Sequence, residues 1–516
     1  MILMELKQHI LSILIFLPLA GLAVMLAYSI AVENRDAAMR KIAFGFSLVE
    51  LLVSLGLVAG FNRGEAGMQF VERTPWIRTF GFNVDYFVGV DGLSLWLVPL
   101  TTLLTCLAIL ASWASIQTHV RDYLSFLLLL ETGLVGVFVS LDMFLFYLFW
   151  EVMLVPMYFL IGVWGGERKV YAAVKFIIYT MAGSVLMLVA IISLYYFGGG
   201  ESFDLLALTA KIRTGALVLD PGVERWLFLA FALAFVIKVP LFPFHTWLPD
   251  AHVEAPTAGS VMLAGVLLKM GAYGLLRFNL PLFPHVTAEL TTTLCVLAVI
   301  GIIYGALVAM VQPDLKKLIA YSSVSHMGFV VLGIFAQTEQ SLQGAIFQML
   351  SHGVATGALF LIAGIIYDRR HTRLIEDFGG LAQPMPVYSA IFVVICLASM
   401  GLPLLSGFVG EFLVLVGTFN SPIAHARTFA SLAATGMLLS ALYLLWMLRR
   451  VVFGRVTQPE NEALTDVDGR ERAVLLPTVA LVVLLGVLPN YFLRPTEAAV
   501  RFVRQASFAA LPERGN

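Results

Sequence analysis

Charged side chains are scarce in this chain. Asp, Glu, Lys and Arg make up 13% of its 516 residues, whereas soluble domains carry about 25%. Hydrophobic residues make up 60%, and the mean hydropathy is +0.91. So few polar side chains cannot cover a water-facing globule of this size. The composition therefore predicts an integral membrane protein whose outer surface contacts the lipid bilayer.

Cysteine and cofactor motifs are also lacking. The three cysteines, Cys106, Cys295 and Cys396, lie within apolar runs and show no spacing typical of a metal, haem or iron–sulfur site. No Walker motif and no glycine-rich dinucleotide loop between a strand and a helix is evident. The net charge of −1 argues against a nucleic-acid partner, which would require a basic face. We therefore expect no metal, cofactor or nucleic acid on this chain.

Long apolar segments occupy most of the chain. A helix needs about 20 mostly apolar residues to cross a bilayer, and about fourteen segments meet this length. The pattern predicts an all-α polytopic membrane protein with about fourteen transmembrane helices. The segments lie near residues 9–30, 41–60, 93–117, 122–139, 142–163, 173–197, 226–252, 256–280, 289–312, 316–336, 341–367, 386–418, 427–453 and 472–492.

The seventh and twelfth segments, 226–252 and 386–418, are too long to be simple spans, so we expect broken helices. Interrupted helices in corresponding halves of a chain are typical of transporters built from inverted repeats. We therefore predict four parts: N-terminal helices 1–3, two five-helix repeats (helices 4–8 and 9–13), and a polar loop with helix 14. These parts cover residues 1–121, 122–285, 286–453 and 454–516.

Lysine and arginine cluster in alternate loops, and this distribution predicts the orientation of the chain in the membrane. Cytoplasmic loops of membrane proteins carry the excess of positive charge. Loops containing Arg121, Arg168, Lys169 and Arg369 are the richer set. This pattern predicts both termini on the outer side. The outer loop 61–92 alternates in part and predicts a small hairpin on the membrane surface.

Four charged residues lie deep within predicted spans: Glu151, Lys238, Lys269 and Glu411. At a helical rise of about 1.5 Å per residue, the first three lie about 14, 18 and 20 Å along their helices. Glu411 follows a predicted break at "GLPLLSGFVG". A charge at such depth costs at least about 2.5–3.5 kcal/mol on insertion scales, which marks these residues as functional candidates.

A structural role for these charges is the alternative interpretation, because one buried Lys–Glu pair can serve only to fix helix packing. Two acids and two bases at similar depth on separate helices favour proton movement instead. Burial disfavours the charged form of a lysine, whereas a nearby carboxylate favours it. If Glu151 approaches Lys238, the lysine holds its proton, and if the pair opens, the proton is released more easily.

Histidines extend this predicted path. His326 and His352 each lie about ten residues into a span, near several serines and threonines. His245 follows the break after Lys238 and is placed to link it with Lys269. A single membrane histidine can serve in packing, but two at similar depth fit a hydrated relay better. No histidine pair has the spacing of a metal site.

Four stretches carry a resemblance to a known family: "FWEVMLVPMYFLIGVWG", "KVPLFPFHTWLPDAHVEAPTAGSVMLAGVLLKMGAYGLLRF", "DLKKLIAYSSVSHMGFV" and "GFVGEF". They resemble the antiporter-like membrane subunits of respiratory complex I, the proton-pumping NADH:quinone oxidoreductase. The resemblance runs from about residue 85 to about residue 450. Glu411 marks one type within this group, because the sister subunits typically carry lysine at that position.

The resemblance implies roles that agree with the residue-level reading. Glu151 would be the counter-charge, Lys238 its switchable partner, Lys269 the central relay and Glu411 the terminal group. The histidines named above would lie along the connecting path. The chain would sit between sister antiporter-like subunits in the membrane arm of a bacterial inner membrane. FMN, iron–sulfur clusters and quinone would be bound by partner subunits. A subunit of a multi-subunit Na⁺/H⁺ antiporter and a structural scaffold are the alternatives.

Overall fold

Long apolar helices make up most of the structure. The computed structural model describes residues 8–31, 36–79 and 81–508. Inside a bilayer every backbone polar group needs a partner from the protein, and a helix supplies those partners within its own segment. Eleven described helices are long and apolar enough to span a membrane, or twelve if a bent C-terminal pair counts as one span. The prediction of a polytopic helical membrane protein is confirmed at this level.

The helices follow the predicted apolar segments in chain order. They are α1 (Ile10–Ala31), α2 (Asp36–Gly60), α3 (Leu97–Ser115), α4 (Val120–Val139), α5 (Met143–Trp164), α6 (Lys169–Phe197), α7 (Leu205–Arg213), α8 (Pro221–Lys238), α9 (Trp247–Glu254), α10 (Thr257–Leu282), α11 (Pro284–Met310), α12 (Leu315–Ala336), α13 (Glu339–Arg370), α14 (Pro386–Ser399), α15 (Ser406–Phe419), α16 (Ala426–Val451), α17 (Gly469–Val487), α18 (Pro489–Leu493) and α19 (Glu497–Phe508).

A β-hairpin connects α2 to α3. Strand β1 (Gln69–Thr79) pairs antiparallel with β2 (Phe82–Val90). The predicted hairpin in the loop 61–92 is therefore confirmed, and the all-α prediction is wrong for this segment. The physical reason is its partial two-residue alternation, which suits a half-buried strand better than a helix. Most of β2 is buried, whereas most of β1 is exposed.

Two helices are interrupted where the sequence predicted. Helix α8 ends at Lys238 and α9 begins at Trp247, after Pro240 has removed a backbone donor. The carbonyl oxygen of Ile237 accepts a hydrogen bond of 2.9 Å from the Trp247 indole. That of Val236 accepts one of 2.8 Å from the Leu241 amide. Protein groups therefore satisfy backbone carbonyls that the break frees. The second interruption separates α14 from α15.

The core of the molecule lies around α10, α12 and α13. All residues in an 18-residue apolar stretch of α10 are buried inside the chain, and 94% of the residues in the matching stretches of α12 and α13 are buried. The corresponding stretches of α1 and α2 are only 33% and 28% buried. A helix enclosed on all sides needs no lipid-facing stripe, so polar side chains on it can find partners within the protein.

An ionic network outside the membrane-spanning helices fixes the hairpin to the rest of the chain. Arg73 Nε donates to Asp85 at 2.8 Å, and its Nη1 donates to Asp204 at 2.8 Å. Arg78 also donates to Asp85. Burial raises the pKa of Asp85, but the hydrogen bonds from Arg78 and Arg73 outweigh this and lower its pKa below the ordinary value. The ionised carboxylate therefore stabilises the folded hairpin.

We expect D85N to lower the unfolding midpoint, because both arginines lose a charged acceptor. A depressed native pKa means that the stabilisation is fully present above the ordinary aspartate pKa of about 3.9 and is lost as the pH falls through the native value. The effect should be on the order of 1 kcal/mol, since water screens the half-exposed arginines. Thermal unfolding of wild type and D85N between about pH 3 and about pH 7 checks this. D122N, at an exposed carboxylate, is the control; a difference that does not shrink below about pH 4 contradicts the assignment.

Candidate functional site

Lys269 lies in the fully enclosed helix α10, directly after an irregular turn. Residues Leu263–Leu267 form a π turn, a feature that often occurs at functional sites. The wider turn leaves the carbonyl of Ala264 open to the Lys269 ammonium group, which donates to it. Lys269 is 0% exposed. Local backbone geometry therefore gives a buried lysine one fixed acceptor within its own helix.

The second partner of Lys269 comes from α13. Lys269 Nζ lies 2.6 Å from His352 Nδ1. The two helices approach closely beside this contact, since a Cβ on Gly353 would lie 2.9 Å from the Gly265 carbonyl oxygen. Only glycine permits such a crossing without displacement of the backbone. The structure thus brings together two residues that the sequence proposed for the same path.

Glu411 and His326 form a second buried contact. His326 Nδ1 and Glu411 Oε1 are 2.7 Å apart, and Gln348 Nε2 donates to the same oxygen at 3.0 Å. When Nδ1 carries the donated hydrogen, Nε2 of a neutral His326 is an acceptor. The hydroxyl groups of Ser399 and Tyr443 both lie 3.5 Å from that Nε2. The five side chains of this cluster come from five consecutive helices, α12 to α16.

The two contacts lie side by side. The rings of His326 and His352 have centroids 5.9 Å apart. Lys269, His352, His326 and Glu411 therefore form one buried row across α10, α13, α12 and α15. No direct hydrogen bond joins the two rings within the described residues. Transfer of a proton between them requires a bridging water or rotation of a ring.

Lys238 and Glu151 lie apart from this row and from each other. Lys238 is the last residue of α8 and is 0% exposed. Its Nζ lies 3.9 Å from Met153 Sδ and 5.2 Å from the ring centre of Trp150. No ion pair within 4.0 Å joins Lys238 to Glu151 in the described chain. The pair is in an open arrangement.

Both members of this pair lie at helix interruptions. Glu151 precedes an interruption of α5 at Met153, which is followed by Pro156. Lys238 precedes the break that contains Pro240. Each charge is therefore next to a segment whose backbone is not held by a continuous helical ladder. Such segments can change the distance between two side chains at lower cost than an intact helix.

His245 does not occupy the place predicted for it. Its ring stacks on Phe242 at a centroid distance of 5.7 Å and contacts Tyr304 at 5.1 Å. No hydrogen bond links it to Lys238 or Lys269 among the described groups. The prediction relied on chain order, but the break after Lys238 turns His245 toward α11, which carries Tyr304. A link through His245 is thus not formed in this arrangement.

Two buried basic groups were missed near Lys269. His252 lies in α9, is 0% exposed and stacks on Phe360 at 4.5 Å. Lys316, at the start of α12, is 4% exposed and donates to the Ala255 carbonyl at 3.0 Å. Its position at the very start of a predicted span was the available signal.

Three buried acids and an arginine were also missed. Arg277 in α10 binds Asp91 through both terminal nitrogens, at 2.8 and 2.5 Å. Glu50 in α2 and Glu131 in α4 are each 0% exposed. Arg277, Glu50 and Glu131 all lie inside predicted apolar spans, so the cost of a charge in a membrane would have identified them from the sequence.

The described residues contain no group of three or more His, Cys, Asp or Glu side chains that could hold a metal ion. The row instead consists of three bases and one acid, with close contacts between Lys269 and His352 and between His326 and Glu411. Lysine, histidine and glutamate can each exist in protonated and deprotonated forms. Chemically, the arrangement is suited to holding and passing a proton.

Family models match most of the chain. One described as "NADH:quinone oxidoreductase/Mrp antiporter, TM" matches residues 140–448. Another, described as "NADH-ubiquinone oxidoreductase chain 4, amino terminus", matches residues 74–137. The two matches together include the hairpin strand β2 and every residue of the row described above.

Curated relatives and solved structures agree with these models. The chain is 49% identical over 496 residues to NADH-quinone oxidoreductase subunit M of Rhodobacter capsulatus, which covers 94% of each chain. It is 42% identical over 488 residues to subunit M of Rickettsia prowazekii, covering 95% of this chain and 97% of that protein. A chain of respiratory complex I from Thermus thermophilus superposes with a TM-score of 0.86 at 32% identity, covering 96% and 99%.

A more distant likeness concerns the fold alone. A chain of the Mrp complex from Dietzia superposes with a TM-score of 0.81 at 21% identity, covering 96% of this chain and 52% of that one. The closer sequence matches, by contrast, extend over nearly the whole length of both proteins. The chain therefore belongs to the antiporter-like membrane subunits of NADH:quinone oxidoreductase, the family that includes subunit M and chain 4.

Proposed function

We propose that this chain is the proton-translocating membrane-arm subunit of an NADH:quinone oxidoreductase. It moves protons through mid-membrane Glu, Lys and His residues, and the redox chemistry that drives them occurs on other subunits. The observation that carries the proposal is the buried row Lys269–His352–His326–Glu411, with contacts of 2.6 and 2.7 Å at its two ends. Burying titratable groups in a membrane core costs free energy, so residues found there are candidates for a function that requires them.

Within the row, a proton on Lys269 can pass to His352 Nδ1 along the existing hydrogen bond. The other nitrogen of His352 then releases a proton toward His326 through a bridging water or ring rotation. His326 Nδ1 delivers a proton to Glu411 Oε1. The second carboxylate oxygen, Oε2, is buried and accepts no hydrogen bond from the described residues. It is the atom from which the proton can continue.

Lys238 and Glu151 serve as the control of this row. A carboxylate close to a lysine stabilises its protonated form, and separation in an apolar site disfavours it. The aromatic and thioether surroundings of Lys238 supply no strong acceptor. Closing the pair would therefore hold the proton on Lys238, and opening it would release the proton. The helix interruptions beside both residues allow this change.

The proposed fold has fourteen transmembrane helices. To the eleven candidate spans we add the interrupted pair α8–α9, the interrupted pair α14–α15, and α17. Helices α4 to α10 then form the first repeat of five spans, and α11 to α16 the second. The interruptions fall in the fourth span of each, as expected for inverted repeats. The division at residues 121, 285 and 453 rests on this pairing.

The surroundings of the chain are part of the proposal. Sister antiporter-like subunits would flank it in the membrane arm, and lipid would cover the remaining apolar surface. FMN, iron–sulfur clusters and quinone would be bound by partner subunits, with no cofactor on this chain. The membrane would be a bacterial inner membrane, with both termini on the periplasmic side. The terminal residues themselves lie outside the described part of the chain.

Purification of the chain with its native partners tests the assignment to a redox complex. We expect NADH:quinone reductase activity to accompany it through affinity and size-exclusion steps, because the redox centres belong to the same assembly. The measurement is NADH oxidation with added quinone, together with proton uptake in vesicles. An assembly that lacks this activity but exchanges Na⁺ for H⁺ would support the antiporter alternative instead.

Replacing the control pair tests its role. We expect E151Q and K238A each to reduce NADH-driven proton pumping by at least about tenfold, because proton-transfer groups typically contribute two or more orders of magnitude. Assembly of the complex should persist. The matched controls are E201Q and K211A, at an exposed ion pair of 3.8 Å. Normal pumping in both E151Q and K238A would reject a proton-transfer role for this pair.

Replacing His352 tests the row itself. H352A removes the only group that contacts both Lys269 and the His326 ring in the described structure, so pumping should fall at least about tenfold. H352Q keeps an acceptor for Lys269 and should retain more activity. H285A, at an exposed histidine, is the control. Equal pumping in H352A and H285A would show that protons bypass the row.

A further inference from the structure

A second pair of buried acids lies away from the proposed proton row. Glu50 is in α2 and Glu131 is in α4, and both are 0% exposed. At about 1.5 Å per residue, Glu50 lies about 21 Å from the start of its helix and Glu131 about 16 Å from the start of its own. Both acids are therefore near mid-membrane, in the N-terminal helices rather than in α10, α12, α13 or α15.

The buried face of α2 is unusual in being polar. Its buried positions include Ser47, Glu50 and Ser54, whereas Leu52 and Leu55 are exposed. This is the reverse of a helix in a soluble protein and places the polar groups against α3 and α4. Leucine would fill these inner positions at lower cost, because an acid must lose its hydration to be buried there.

The two carboxyl groups face each other. Ser47 Oγ, one turn before Glu50 on the same face of α2, donates to Glu131 Oε2 at 3.1 Å. The side chain of Glu50 lies against that of Glu131. Yet both oxygens of Glu50 and one of Glu131 are buried and receive no hydrogen bond from any described N–H or O–H group. The pair therefore has three buried oxygens that lack a hydrogen-bond donor from the described residues.

Within the described residues, no cation forms an ion pair within 4.0 Å with Glu50 or Glu131. The titratable neighbour of Glu50 is Glu131 itself. The nearby titratable group from α3 is the thiol of Cys106. Two ionised carboxylates in contact without water or a cation repel each other strongly, so such pairs hold a proton. The missing donor between them is then an O–H group.

We propose that Glu50 and Glu131 form a proton-binding site in the N-terminal helices, in which the two carboxyl groups share one proton. The shared proton supplies the hydrogen bond that the unpartnered oxygens lack. Ser47 holds Glu131 in orientation, while Glu50 completes the pair from α2. The site is separate from the row of Lys269, His352, His326 and Glu411, and its ligand is a proton rather than a metal ion.

A lipid-soluble carbodiimide reports this state chemically. The carboxylic acid gives its proton to one carbodiimide nitrogen, and the resulting carboxylate oxygen bonds to the central carbon. Migration of the acyl group to nitrogen then leaves a stable N-acylurea on the protein. All atoms of both reactants remain in the product, and no oxidant or reductant is needed. Only a protonated acid within reach of the membrane reacts by this route.

The experiment treats the assembled complex with dicyclohexylcarbodiimide at a series of pH values and locates the adduct by mass spectrometry. We expect labelling at Glu50 or Glu131 that decreases as the pH rises, by about tenfold per unit beyond the midpoint of a one-proton site. Exposed Glu289, which is paired with Arg225 at 2.7 Å, is the internal control and should remain unlabelled. Absence of label from both acids, together with a protonated carboxyl band that is unchanged in the variants described next, overturns the proposal.

Infrared difference spectra provide the second measurement. The protonated carboxyl band of wild type should lose one component in E50Q, in E131Q and in the double variant, but not in E201Q. Spectra that coincide in all of these variants overturn the proposal. Protection from the carbodiimide by Na⁺ but not K⁺ at constant pH would show a sodium site instead and also overturn it. Neither carbodiimide labelling nor the infrared spectra depend on pumping, so the outcome of both measurements is independent of the proposed function.

Discussion

The absence of water from the centre of a bilayer is the constraint on which this structure depends. Every polar group at that depth must find its partner within the protein. The backbone does so by forming helices, and at the break after Lys238 the Trp247 indole satisfies a carbonyl that the helix releases. Side chains follow the same rule, since Lys269 uses Ala264 and His352 as acceptors. The polar groups are consequently gathered into a few connected sets.

Helix irregularities decide where these sets can form. The π turn in α10 opens a carbonyl for Lys269. Glu151 and Lys238 each lie next to a helix interruption, which the proposed opening and closing of that pair would use. Regular helices would bury the same residues without giving them alternative partners. Irregular backbone therefore has a chemical purpose here, and it occurs where protein rather than lipid surrounds it.

Two kinds of titratable site coexist in the chain. The row from Lys269 to Glu411 mixes bases with an acid, so that a hydrogen-bond donor and an acceptor meet at each close contact. The proposed acid pair, Glu50 and Glu131, has only acceptors unless a proton lies between them. In the proposed function the row transfers a proton between unlike groups, whereas the proposed acid pair retains one proton. In both sites burial disfavours the charged form of each group, so gain or loss of a proton changes the energy of the site strongly.

Much of the fold follows from the sequence, because hydropathy and the cost of a buried charge are properties of each segment alone. They identified the apolar helices, the hairpin, both interruptions, and the deep positions of Glu151, Lys238, Lys269 and Glu411. Only the tertiary structure decided which of these residues meet. Lys269 and His352 are 83 positions apart, and their contact depends on how closely α10 and α13 cross at Gly265 and Gly353. His245 is near Lys238 in sequence but turns toward Tyr304 instead, because chain order does not determine the direction taken after a break.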